Sequence, residues 1–139
     1  MSGHDKQQQT LSQRRAAYAL TEVKAIIGES FSKEFRSYAA NLPPMIQMNG
    51  FGQALAFCNS KSDSAYQRLY SIVSRWLTSD DQPYVAHDDV LTGITTEGMG
   101  LYRLAQTEAL ALLDWVKRFA SAYLKTEEPG ARGATQAAP

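Results

Sequence analysis

Residues 99–125 read MGLYRLAQTEALALLDWVKRFASAYLK. Leu101, Ala105, Leu112, Trp115 and Phe119 recur at multiples of three and four, the spacing that lines up one face of an α-helix. The run contains no proline, and its length exceeds that of an ordinary helix. One charged residue, Glu108, falls in the middle of that apolar face at 100° per residue. A carboxylate buried without a partner costs several kcal/mol, so the residue types alone call for a cation or donors beside it. A general acid is the functional alternative for Glu108, and no second group for such chemistry stands near it in the sequence. Leu110, Leu113 and Leu124 fall away from the main face, either as a docking strip or against another helix.

Upstream, the helical spacing repeats. Residues 64–77 carry Tyr66, Leu69, Tyr70, Val73, Trp76 and Leu77 on one face, with Ser62 or Asp63 as the cap. Thr10 and Gln13 fit a capping box ahead of Ala16, Leu20, Val23 and Ile27. Gly28 weakens that helix. Phe31, Phe35, Tyr38 and Leu42 form a second periodic run, with Ser30 or Ser32 as its cap. The spacing leaves open whether these are two helices or one kinked helix. Leu42 precedes Pro43, which disfavours helical angles and predicts the end of the element there. Residues 43–50 then read as a short helix opened by Pro43-Pro44 and closed by Asn49-Gly50. Residues 51–58 open another, with Leu55 and Phe57 for burial, and a short one is centred on Val90, Leu91 and Ile94. No alternating pattern long enough for a strand is present. The predicted class is all-α: a compact single-domain bundle of about five to seven helices over residues 10–126. Residues 1–9 read as a polar leader and 127–139 as an Ala/Gly/Pro tail, both dispensable for folding.

The chain has 139 residues, 44% of them apolar, enough for one core and too few for two ordinary domains. Fourteen basic residues balance fourteen acidic ones, which excludes a polybasic protein and an acidic disordered one. No apolar run approaches the ~20 residues of a membrane span, and the N-terminus lacks a signal-peptide core. These features predict a soluble intracellular protein without membrane contact. The neutral total conceals segregation. Residues 13–76 hold eight basic against four acidic side chains, and residues 77–100 hold Asp80, Asp81, Asp88, Asp89 and Glu97 with no Lys or Arg. Such blocks steer a polyanion to one side, set how subunits stack, or simply solvate a loop.

The chemical inventory is thin. Cys58 is the single cysteine, beside apolar residues that suit a buried inert thiol. His87-Asp88-Asp89 has the letters of a metal-binding pair, but such sites need further histidines and only His4 remains. Gly50-Phe51-Gly52 lacks the third glycine and the lysine of a phosphate loop. No catalytic, metal or cofactor site is expected from these residues.

Three blocks carry a resemblance: Gln13-Arg14-Arg15-Ala16; Leu42-Pro43 through Met45-Ile46 to Asn49-Gly50-Phe51-Gly52-Gln53-Ala54-Leu55-Ala56-Phe57; and Glu108-Ala109-Leu110 through Trp115-Val116-Lys117-Arg118-Phe119-Ala120. In this order they resemble the small helical subunit of the Cmr-type (type III-B) CRISPR RNA-guided effector complex, over residues 10–125. The second block is the specific one. Pro44 and Phe51 depart from the family pattern, which has one proline and usually leucine at these places. The resemblance implies an all-helical, non-catalytic, cytoplasmic protein in antiviral RNA interference. It also implies partners: other effector subunits, the guide RNA–target RNA duplex, and further copies of the chain stacked along the target path. No cofactor is implied. The arginine that the family block keeps beside the first helix makes Arg15 the first candidate partner for Glu108. Asn49, Gly50, Gly52 and Gln53 read as architecture, with the glycines turning a sharp corner, Asn49 as a left-handed cap, and Gln53 satisfying freed carbonyls.

For RNA, four cations are singled out as phosphate contacts: Arg75, Arg68, Lys117 and Arg14. Arg68 and Arg75 share the outer face of their helix with Ser71, and no acidic residue follows Asp63 there. Lys117 is exposed on its wheel and belongs to a family block. Arg14 lies with Tyr18 on the outer side of the first helix. Lys33 and Arg36 face away from Phe31, Phe35 and Tyr38, whereas Arg118 has Asp114 four residues before it for a helix salt bridge. A helical protein-interaction adaptor with no RNA contact is the alternative.

Overall fold

The computed structural model describes residues 9–124, and among these every regular element is a helix. The six are α1 (Leu11–Lys24), α2 (Ser32–Asn49), α3 (Phe51–Ser60), α4 (Ser64–Leu77), α5 (Val90–Thr96) and α6 (Met99–Tyr123). They share one hydrophobic core. The expected leader and tail lie outside the described residues, except for Gln9.

The capping box opens α1 as its residues dictate. Gln13 N–H donates to Thr10 Oγ1 at 3.0 Å, and Thr10 N–H donates to Gln13 Oε1 at 2.8 Å. Ala19 and Val23 are its buried residues; past the helix end Ile26 is also fully buried, whereas Ile27 is 52% exposed. Gly28 takes φ 88° in the turn to α2, so α1 and α2 are two helices. No side chain caps α2, neither Ser30 nor Ser32; Phe31 is its N-cap residue.

Pro43 does not end α2. The helix runs through Pro43 and Pro44 to Asn49, and Phe35, Ala39, Leu42 and Ile46 form one buried stripe along it. Each of the two interior prolines costs about 3 kcal/mol in lost hydrogen bonding and steric conflict. Burying Leu42 and Ile46 returns roughly 1.5–3 kcal/mol each, and Met45 adds a partly buried contact with the core, so tertiary packing of the same order offsets the local preference. The corner comes at Gly50, with φ 96° and ψ 152°, angles that side chains resist. Gly50 N–H closes α2 on Ile46 O, and Gly50 O opens α3 from Ala54 N–H. Asn49 is not the left-handed cap, since among non-glycine residues described only Asp81 has positive φ. Gly52 serves space rather than angle: a Cβ there would stand 3.3 Å from Ile94 Cγ2, and its N–H donates to Tyr102 Oη at 3.0 Å. Gln53 is exposed and lies in a shallow hollow with Met45, Met48, Asn49 and Phe57. Phe57 is 37% exposed, so Phe51, Ala54, Leu55 and Cys58 supply the burial on α3.

Asp63 caps α4 by accepting from Ala65 N–H and Tyr66 N–H. Asp89 caps α5 and also accepts from Tyr70 Oη at 2.6 Å, which ties the acidic loop to α4. The long helix α6 lies alongside α1 in the same direction: Arg15 meets Glu108, and Lys24 meets Tyr123. It runs opposite to α2, whose Arg36 reaches Ser121 while Gly52, just past its end, meets Tyr102. Its buried face is Ala105, Ala109, Leu112, Leu113, Val116 and Ala120. Leu113 and Leu124 are therefore core rather than docking residues, while Trp115 and Phe119 are partly buried against the core. The face is rotated from the expected one because α1, α2 and α4 all pack on α6 and widen its apolar arc.

Candidate nucleic-acid interface

Glu108 sits at the junction of α1, α4 and α6 and is 8% exposed. Arg15 Nε donates to Glu108 Oε2 at 2.6 Å and Arg15 Nη2 to Oε1 at 2.9 Å, a bidentate pair. Trp76 Nε1 adds a third bond to Oε2 at 2.7 Å. Burial alone would raise the carboxyl's pKa. The hydrogen bonds from Arg15 and Trp76, with the charges of Arg15 and Arg14, outweigh it and hold the pKa below its ordinary value. All of this carboxylate's strong contacts point inward, so Glu108 ties helices together.

Among the chemically notable residues, Cys58 is fully buried and its thiol is pushed up to about 11 by that burial. His87 Nε2 lies 2.7 Å from Glu97 Oε2. Among the described residues no three His, Cys, Asp or Glu side chains are placed to share a metal ion, and no helix is long and apolar enough to cross a membrane.

The four cations singled out as phosphate contacts are not gathered together. Arg75 donates from Nη1 and Nη2 to Glu22 at 2.9 and 2.8 Å, and from Nε to Ser71 at 3.0 Å. It is therefore neutralised after all, by α1 rather than by its own helix, a partner that a helical wheel cannot show. The Arg68 guanidinium stands 5.5 Å from the Phe31 ring centre. Arg14 is exposed near Glu108, toward the N-terminal end of α6. Tyr18, beside Arg14 on the helix wheel, packs on a neighbouring helix: it lies 4.9 Å from the Trp76 ring and donates to Ile72 O at 2.7 Å.

Lys117 does belong to a charged cluster. A cleft of about 810 Å³ lies between α2 and α6, lined by Lys33, Arg36, Ser37, Lys117, Arg118 and Ser121. Arg36 Nη2 donates to Ser121 Oγ at 3.3 Å, which fixes one guanidinium across it. Arg118 pairs with Asp114 on its own helix at 3.4 Å, with both side chains exposed, a weak contact in water. The cleft stays open because Ser37, Ala40 and Ser121 are small where α2 and α6 approach. That spacing of small and basic residues on two helices was the available signal; the pairing of α2 with α6 was not.

Comparison with known proteins agrees with this architecture. The family model described as CRISPR-associated protein (Cas_Cmr5) matches residues 11–123. The CRISPR system Cmr subunit Cmr5 of Thermus thermophilus is 30% identical over 116 residues, covering 84% of this chain and 97% of that protein. An X-ray crystal structure of a CRISPR-associated Cmr5 family protein, also from Thermus thermophilus, matches with a TM-score of 0.72 at 26% identity, covering 84% of this chain and 100% of that one. With all six helices inside the matched span, the chain belongs to the CRISPR-associated Cmr5 family of Cmr-type CRISPR subunits.

Proposed function

We propose that this chain is a non-catalytic small subunit of a type III-B CRISPR ribonucleoprotein, stacked in copies along the effector and lining the target-RNA path in the cytoplasm. Family membership supports the assembly. The observation that carries RNA contact is the α2–α6 cleft, which brings Lys33, Arg36, Lys117 and Arg118 together from two helices. A cleft lined by one sign of charge follows a phosphate backbone without reading bases. Sequence choice then falls to pairing between guide and target. Lys117 and Lys33 are the central contacts. Arg14, Arg68 and Arg75 are peripheral, since Arg75 exchanges an existing bidentate partner for phosphate and Arg68 a ring contact.

Ultraviolet crosslinking of target RNA in the assembled effector is expected to mark peptides containing residues 33–37 and 117–121. The purified chain alone is expected to cleave neither RNA nor DNA with any divalent metal. Crosslinks confined to other subunits would refute the RNA path, and cleavage abolished by substituting His87 or Asp88 would refute the non-catalytic role.

One observation favours the reading of a protein adaptor without RNA contact: Met48 is 84% exposed beside Met45 and Phe57, in the hollow where α2 meets α3. Methionine-rich hollows suit protein partners. Crosslinking to subunits there, with no RNA crosslink at the α2–α6 cleft, is the outcome that reading requires.

A further inference from the structure

Between α1, the acidic loop and the N-terminal half of α6, the fold leaves a buried polar atom unsatisfied. The recess there measures about 350 Å³, at the lower end of small-molecule sites, which span about 300–1,000 Å³. Leu11, Pro83, Leu101 and Leu104 are its apolar walls, and Leu104 is 60% exposed. Gln82 lines the recess while only 8% exposed, and its Oε1 is buried without a hydrogen-bond partner. Such an acceptor is costly, and an apolar side chain of similar shape would serve folding better. The amide lacks a donor, and folding supplies none.

The rim sets the charge of that donor. Asp81 lines the same recess and makes no ion pair among the described residues. Asp80 beside it is exposed and adds charge of the same sign. The remaining carboxylate, Glu108, is already matched by the Arg15 guanidinium. Asp81 is therefore the countercharge that a ligand meets. A divalent metal does not suit the place. Among the described residues no three His, Cys, Asp or Glu side chains are placed to share one, and the apolar walls offer no further oxygens. A primary ammonium on an unbranched aliphatic stem matches each feature. Its N–H groups can donate to both Gln82 and Asp81, and its methylenes can lie on Leu101 and Leu104. We propose that the recess binds a free aliphatic polyamine, one primary ammonium donating to Gln82 Oε1 and to the Asp81 carboxylate. The second ammonium then lies in the field of Asp80. This site uses none of the cleft cations.

NMR titration of the full chain with butane-1,4-diamine at fixed ionic strength tests the site. Saturable shifts are expected at the Gln82 side-chain amide and the Leu101 and Leu104 methyls, with a Kd of about 1 mM, the order for so small a ligand. Gln82→Leu is the sharpest variant. It should bind about tenfold more weakly yet melt no lower than the wild type, since it removes an unpaired buried acceptor. Asp81→Asn keeps a residue that tolerates the φ of 68° found there, and should bind about fivefold more weakly. Butan-1-ol, the same stem without an ammonium, should give no saturable shifts. Nα-acetyl-lysine amide offers the same head group without the second charge and should bind more weakly than the diamine. Tighter binding of the lysine compound would assign the recess to a protein side chain and overturn the polyamine. Absence of saturable shifts, or affinity untouched by Gln82→Leu, overturns the site. A Gln82→Leu chain that melts several degrees lower would show the amide satisfied within the fold, which also overturns it. Lys33→Ala/Lys117→Ala should bind the diamine as the wild type does, so this site and the RNA path fail separately.

Discussion

Arg15→Met is expected to lower the melting temperature by about 10 °C, through a loss of about 3 kcal/mol. The pair is largely enclosed, with side-chain exposures of 19% for Arg15 and 10% for Glu108. Removing the guanidinium leaves the carboxylate with the Trp76 donor and, of the two countercharges, only that of Arg14, which makes no hydrogen bond to it. Glu108→Gln should cost less than half as much, because an amide oxygen still accepts from Trp76 and a partly exposed arginine can turn to water. The pH dependence has a definite sign. In the wild type Glu108 is held below its ordinary value, so its stabilisation is present above the unfolded-state pKa, about 4.3. It is lost as pH falls through the lower folded value. In Arg15→Met, burial dominates and raises the carboxyl's pKa, so the deficit should narrow as pH falls and the stranded group takes up a proton. Circular-dichroism melts at neutral and mildly acidic pH measure both effects. Silent melts for both substitutions would remove the pair from the account of stability.

Gly93→Ala is the second large effect, expected near 3 kcal/mol, the upper end for overpacking. A Cβ on Gly93 would lie 2.5 Å from Tyr84 Cγ and 2.6 Å from Cδ1, at the base of a ring that is itself fully buried. The ring has little freedom to yield, since Tyr84 N–H is fixed on Leu77 O at 3.0 Å. Displacing it would loosen α5 and the acidic loop together. Tyr84→Phe should be neutral or slightly stabilising, because the Tyr84 hydroxyl is buried without a partner. A denaturant midpoint for Gly93→Ala equal to that of the wild type would show that the ring moves freely.

The helical class was legible because the apolar spacing of α4 and α6 has no strand-like reading, and Thr10, Gln13 and Asp63 announce their helix starts. Local rules misled at Pro43, where burial of Leu42 and Ile46 outweighs a preference that acts on one residue. They left open whether Leu113 and Leu124 form a docking strip or face another helix, because a single wheel cannot show that three helices pack on α6; both are buried in the core. The candidate site was legible in part. Lys117 was found from its own helix, but its neighbours Lys33 and Arg36 join it only through the antiparallel pairing of α2 with α6. Arg75 failed as a free cation for the same reason in reverse, since Glu22 reaches it from α1.

The most direct measurement is titration of target RNA into the assembled effector at several salt concentrations, comparing wild type with Lys33→Ala/Lys117→Ala. Each phosphate contact on single-stranded RNA contributes about 0.7 to the slope of log affinity against log salt. Loss of both lysines should therefore reduce the slope's magnitude by about 1.4, equally for every target sequence. An unchanged slope in a fully assembled complex would contradict an RNA path along the α2–α6 cleft.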